Sequence, residues 1–156
     1  MFPVWKNVTK KLICVDLDDT LIMEVSNNMS NNLCRKPMFN LAPGAKKFLP
    51  KVCEMYDMYI ITAREDWQYA ECLVRMLEKR LKIKFCGMLT TSYQQKSEFV
   101  DLVIKNLKLD YIPIIIDDTY DIVKECKNVI IFGNADAPSD CKRCRNWKEV
   151  YMELKK

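Results

Sequence analysis

The stretch KLICVDLDDTLI, Lys11 to Ile22, decides the fold, because it carries Asp16, Asp18 and Asp19 to the end of an apolar run. Leu12, Ile13, Cys14 and Val15 make a run too brief for a helix and rich in branched side chains, which predicts an interior strand. Positions two apart on a strand share a side, so Asp16 and Asp18 converge on one point if the extended geometry persists that far. Converging carboxylates raise each other's pKa unless a hard cation neutralises them. The competing reading of this window is a turn or helix cap, where Asp and Thr are common.

Outward from this stretch, apolar runs alternate with helical patterns. Gly44 to Tyr56 carries Phe48, Leu49, Val52 and Cys53 at helical spacing, with Pro50 either in the first turn or kinking the helix. Met58 to Thr62 predicts a second strand, and Asp66 to Leu81 an amphipathic helix with Trp67, Ala70, Leu73, Val74 and Leu77 on one face. Phe85 to Leu89 predicts a third strand, Ile112 to Ile116 a fourth and Val129 to Phe132 a fifth. Ser92 with Gln95, and Asn146 with Glu149, have the spacing of helix-opening capping boxes. Ser26 to Asn32, SNNMSNN, is a polar loop. Such alternation implies an α/β fold, a three-layer Rossmann-like arrangement with a mostly parallel central sheet of about five strands.

The 156 residues are expected to form a single domain, 1–156, being 49% apolar and 29% charged with only three glycines. No run approaches a membrane span, and the N-terminus lacks the apolar stretch of a signal peptide, so a soluble, intracellular chain, cytoplasmic or nuclear, is expected. Eight scattered cysteines without an export signal point to reduced thiols. Cys141 and Cys144 form one CxxC, but with no histidine and no second close pair they fall short of a zinc site. The net charge of +4 does not by itself mark a nucleic-acid binder; the segment CKRCRNWK, with Arg143 and Arg145, reads as a solvated loop and helix start.

In open parallel sheets the ligand sits beyond the carboxyl ends of the strands. The residues found there are Asp16, Asp18 and Asp19 after the first strand, Thr62, Ala63 and Arg64 after the second, and Asp117 and Asp118 after the fourth. Carboxylates from two strands, a hydroxyl from a third and a lysine at a helix start make an acid cluster with one cation and one donor. Mg²⁺ suits oxygen ligands and is commonly held by one or two carboxylates together with a phosphate. A carboxylate can also attack phosphorus, forming an aspartyl phosphate that is hydrolysed in a second step.

DLDDTL resembles the first motif of the haloacid dehalogenase (HAD) superfamily of phosphohydrolases. IIT at Ile60 to Thr62, Lys96, and IIIDD at Ile114 to Asp118 resemble its second, third and fourth motifs, in order, over residues 11 to about 133. The resemblance implies a phosphatase in which Asp16 is the nucleophile and Asp18 the general acid and base. It implies Mg²⁺ bound by Asp16, by the backbone carbonyl of Asp18 and by an acid of the fourth motif. It further implies that Thr62, Ala63 and Lys96 bind the phosphoryl group. The fourth motif departs from the usual spacing: Asp118 is favoured as ligand, Asp117 as a supporting acid, and Asp121 as outer support or helix-start charge. Asp19 is left as a turn residue.

From Asp16 to Thr62 is 46 positions and from Thr62 to Lys96 is 34, neither enough for a substantial cap domain, although Glu24 to Pro43 has room for a small lid. With APGAKKFL, the chain is similar to the capless branch containing polymerase-tail protein phosphatases and small magnesium-dependent phosphatases. A phosphorylated macromolecule is therefore the expected partner, a phosphoprotein ahead of a nucleic acid, because a macromolecule itself covers an open site. The alternatives are a nucleic-acid end phosphatase and a non-catalytic module that binds phosphate or a partner.

Overall fold

The computed structural model describes residues 2–24, 38–91 and 94–156. Strand β1 is Leu12–Val15, β2 Ile22–Glu24, β3 Phe39–Leu41, helix α1 Ala45–Met55, β4 Asp57–Thr62, α2 Trp67–Leu81 and β5 Met88–Thr90. These are followed by α3 Lys96–Asn106, β6 Ile114–Asp117, α4 Tyr120–Val123, β7 Val129–Phe132, β8 Lys142–Cys144 and α5 Trp147–Leu154.

The main sheet has six strands in the order β5-β4-β1-β6-β7-β8, every neighbouring pair parallel. Strand β1 lies in its interior, as the apolar run LICV requires: all four side chains are buried. Successive residues face opposite layers. Ile13, Val15, Met58, Ile60, Ile116 and Ile130 pack with α1, α2 and α5, while Leu12, Cys14, Tyr59, Ile61, Ile115 and Ile131 pack with α3 and α4. The result is the expected three-layer α/β arrangement.

Three local differences from the sequence expectation have physical causes. The sheet has a sixth strand, because Lys142–Cys144, expected to be loop, adds in parallel to β7 with Cys144 buried and Lys142 exposed. The third strand begins later than Phe85, because the Cys86 carbonyl accepts from Trp5 of the N-terminal segment. The fourth starts at Ile114, past Pro113, which has no amide to donate. Of the two placements left open for Pro50, the structure has the one inside α1, beyond the first turn. In addition, β2 and β3 pair antiparallel beside the main sheet. The stretch SNNMSNN, the span between Glu24 and Met38 with Arg35 and Lys36, and Ser92 of the first capping box lie outside the described residues.

The second capping box forms: Asn146 Oδ1 accepts from the Glu149 amide at 2.9 Å, and Glu149 Oε1 accepts from the Arg145 amide at 3.0 Å. Gly44, at φ 78°, caps α1 where a Cβ would come within 3.1 Å of the Lys148 amide nitrogen, so only glycine lets α1 and α5 approach this closely. Among the described residues no helix is long and apolar enough to cross a membrane.

Candidate active site

The chain runs outward from β1 to β4 and β5, then returns to the other side of β1 with β6, so the strand order reverses between β1 and β6. A crevice opens at such a switch point, beyond the carboxyl ends of the strands. Asp16 leaves β1 there, its amide donating to the Ile116 carbonyl at 2.9 Å, and Asp117 and Asp118 leave β6 beside it. One carboxylate oxygen from each of Asp16, Asp117 and Asp118 lies within 4.8 Å of the others.

Lys96, the first residue of α3 and only 1% exposed, holds the cluster together. Its ammonium donates to Asp16 Oδ1 at 2.9 Å, to the Ile61 carbonyl at 2.9 Å and to Asp117 Oδ2. All three protons are thus committed, two of them to carboxylates. Burial works to lower the Lys96 pKa, but Asp16 and Asp117 outweigh it and the net shift is upward, so the ammonium stays charged. Asp117 is engaged at both oxygens, since Oδ1 accepts from the Thr119 amide at 2.9 Å.

Burial and the neighbouring Asp16 carboxylate push Asp117 up to about 6 and Asp118 up to about 8, a hydrogen bond with Asp16 contributing at Asp118. Three carboxylates against one ammonium leave two negative charges when all are ionised. All-oxygen donors with that excess fit a hard divalent cation.

A cavity of about 220 Å³ opens over the cluster, lined among others by Asp16, Asp18, Thr62, Ala63, Arg64 and Asp118. Strand β1 ends at Val15, so Asp16 and Asp18 are not successive same-side strand residues, yet both face this space. Asp18 is more open than Asp16, and its carboxylate lies 3.6 Å from Arg64 Nε, which is also 3.3 Å from Asp66. Its carboxylate is not one of the clustered three. Thr62 ends β4, buried, with Oγ1 accepting from the Arg64 amide at 3.3 Å. Asp19 sits exposed in a turn at φ 60°, its amide bonded to the Ile22 carbonyl, and Asp121 is exposed in the first turn of α4.

Two contributors, Thr20 and Trp147, escape a reading by strand ends. The Thr20 hydroxyl lies 3.5 Å from both Asp16 Oδ2 and Asp118 Oδ1, and its carbonyl accepts from Trp147 Nε1 at 2.7 Å. Arg64, already marked by its place after the second strand, pairs with Asp18. The position of Thr20 four residues after Asp16 is a visible signal; the Trp147 contact, 127 residues away, has none.

The family model for NLI interacting factor-like phosphatase matches residues 11–137. No curated protein sequence matches the chain. Among solved structures, a protein assigned as a beta-phosphoglucomutase from Thermotoga maritima superposes with a TM-score of 0.59 at 11% identity, covering 93% of this chain and 98% of that one. Fcp1, an essential RNA polymerase II CTD phosphatase, gives 0.58 at 17% identity, covering 85% of this chain and 44% of that one. The fission yeast RNA polymerase II CTD phosphatase Fcp1, as a variant bound to beryllium fluoride, gives 0.57 at 19% identity, covering 94% and 52%. At these identities the structures share the fold, and this chain spans about half the length of the two Fcp1 chains. With the family model spanning most of its length, the chain belongs to the NLI interacting factor-like phosphatases and is a HAD-type phosphatase.

Proposed function

We propose that residues 1–156 act as one catalytic domain, a Mg²⁺-dependent phosphomonoesterase working through an aspartyl phosphate on Asp16, with a phosphoprotein as substrate. The observation that carries this reading is Asp16 itself, buried at the floor of an open cavity with one oxygen fixed by Lys96 and Asp118 alongside. A free Asp16 oxygen attacks phosphorus and the bond to the leaving oxygen breaks, Asp18 supplying the proton that oxygen needs. Asp18 then takes a proton from water, which attacks phosphorus, breaks the acyl-phosphate P–O bond to Asp16 and so regenerates the carboxylate and releases inorganic phosphate. Asp18 suits the shuttle because it is the more solvent-accessible of the two, whereas Asp16 is fixed by a cation.

Mg²⁺ bound by Asp16, Asp118 and the Asp18 carbonyl would screen the anionic nucleophile from the anionic phosphoryl group and polarise the latter. Asp117, engaged by Lys96 and the Thr119 amide, serves as support. Thr62 and Ala63 line the cavity where phosphoryl oxygens would lie. Lys96 acts on them from behind, as a positive charge set under Asp16.

A macromolecular substrate fits a small cavity open to solvent, which a large substrate can itself cover. The names of the Fcp1 neighbours, CTD phosphatases, point the same way. Seven unpaired cysteines among the described residues suit a reducing, intracellular setting. The test is phosphate release from aryl phosphates and phosphopeptides with and without Mg²⁺. Metal-dependent release that Asp16→Asn abolishes is expected; no release from any phosphomonoester, or release unaffected by Asp16→Asn, would overturn the proposal.

A further inference from the structure

Beside the catalytic cavity lies a second one of about 320 Å³ that shares Asp19 and Asp118 with it, both at the end nearer Asp16. Met23, Pro43 and Phe132 form its apolar wall, Gly133 part of its floor, and Arg145 contributes a cation. The sheet orders these residues: Asp118 follows β6, Gly133 follows β7 and Arg145 follows β8. The groove therefore runs across the carboxyl edge of the sheet, away from Asp16.

Its floor is hydrogen-bonded to the strand beside it and bare of side chain. The Gly133 amide donates to the Cys144 carbonyl at 2.9 Å, and its carbonyl accepts from Arg143 Nη1 at 3.1 Å. At φ 83°, a Cβ on Gly133 would meet nothing within 4 Å, so the backbone lies open to whatever enters. Arg143 is thereby committed to the fold. Arg145 is exposed, and its guanidinium has no ion pair or hydrogen bond among the described residues.

Three strand spacings of about 4.8 Å separate β1 from β8, so the backbone leading to Arg145 lies roughly 14 Å across the sheet from that leading to Asp16, the length of about four extended peptide residues at 3.4 Å each. The flexible arginine side chain shortens this to about three or four.

We infer that this groove receives the peptide segment flanking the phosphoresidue, and that Arg145 selects substrates carrying a second anion, a phosphoryl group or a carboxylate, about three or four residues away. The inference rests on the phosphatase reading above. An apolar wall for the intervening side chains and a fixed-charge donor at the far end divide the work: the wall orients the chain, and Arg145 sets specificity.

The test is equilibrium binding of fluorescent phosphopeptides to the Asp16→Asn protein with Mg²⁺ at low salt, with para-nitrophenyl phosphate hydrolysis by the unsubstituted protein measured in parallel. A peptide with a second phosphoserine or a glutamate three or four residues from the phosphoserine should bind roughly threefold to tenfold more tightly than one without it. Adding Arg145→Glu should abolish that preference, whereas Lys105→Glu, the same charge change at the far end of α3, should keep it. A gain from phosphoserine alone identifies a phosphoryl group as the second anion; an equal gain from glutamate identifies any carboxylate-sized anion.

No preference, a preference that survives Arg145→Glu, or Arg145-dependent binding confined to phosphorylated oligonucleotides would overturn the inference. Failure of the unsubstituted protein to hydrolyse the aryl phosphate would sink the phosphatase reading instead, leaving the binding comparison to judge the groove by itself.

Discussion

The Lys96 ammonium meets Asp16 Oδ1 at 2.9 Å, joining the start of α3 to the end of β1 across 80 positions of sequence. The same ammonium also meets Asp117, so one buried cation fixes two carboxylates that would otherwise repel. Removing one partner of a buried ion pair leaves uncompensated charge, at a cost of about 3 to 5 kcal/mol.

Lys96→Met should therefore destabilise the protein by about that amount and abolish phosphatase activity. Adding Asp117→Asn removes one of the stranded charges and should recover part of the stability without recovering activity. Urea unfolding of the single and double variants checks this; a stability for Lys96→Met equal to the parent's would refute the role given to the ammonium.

Metal binding by the acid cluster, as proposed, would depend on pH. With Asp118 pushed up to about 8 and Asp117 to about 6, a divalent cation must displace protons to bind near neutrality. Apparent Mg²⁺ affinity should rise between pH 6 and pH 8, by about tenfold per unit for one displaced proton. Calorimetric titration across that range measures it, and a flat profile would contradict the account.

Stability of the metal-free protein should move the opposite way. Folded-state values above the ordinary carboxylate range mean that the native state holds more protons than the unfolded chain, so stability is greatest below about pH 4 as far as these two groups go. It is lost as pH rises through about 6 and about 8. Saturating Mg²⁺ should offset that loss, which melting temperatures with and without metal would reveal.

Trp147, wholly buried, donates from Nε1 to the Thr20 carbonyl at 2.7 Å and so ties α5 to the loop that carries Asp16. Trp147→Phe leaves that carbonyl unsatisfied and should cost about 1 to 3 kcal/mol. Since the Thr20 hydroxyl approaches both Asp16 and Asp118, weaker Mg²⁺ binding should accompany the lost stability. Unchanged metal affinity in a folded Trp147→Phe protein would show that α5 supports the core and not the site.

Asp57, at the start of β4, accepts from the Thr9 and Lys10 amides at 2.7 Å and pairs with Lys6 at 2.9 Å. Burial acts to raise its pKa, but these donors together outweigh it and hold the carboxyl below its usual value. Its contribution is present above the ordinary carboxylate range and is lost as pH falls through the depressed folded value. Asp57→Asn should flatten the acid side of the stability profile, compared by urea unfolding at pH 3 and pH 6.

Much of this architecture is legible in the sequence because it depends on short-range pattern. LICV, MYIIT and VIIF are apolar over consecutive positions, which suits strands covered on both faces, and their final residues mark where chemistry gathers. Strand β8 is not legible. An edge strand pairs on one side only, and KRC buries just its last side chain, leaving charge where an apolar run would have given a signal. The contacts of Thr20 with Trp147 and of Arg64 with Asp18 depend on tertiary placement, which local periodicity does not encode. Lys96 is legible as a candidate site residue, but the commitment of all its protons to Asp16, Asp117 and Ile61 appears only once the strands are assembled.

If the proposed reaction runs, Asp16 becomes phosphorylated during turnover. The most direct measurement is mass spectrometry of the peptide containing Asp16 after mixing the protein with a phosphomonoester and Mg²⁺ and quenching in acid within one turnover. The account predicts the added mass of one phosphoryl group on Asp16, appearing and decaying at rates compatible with phosphate release and absent from Asp16→Asn. Full turnover with no such adduct at any quench time, and with Asp16→Asn still active, would contradict it.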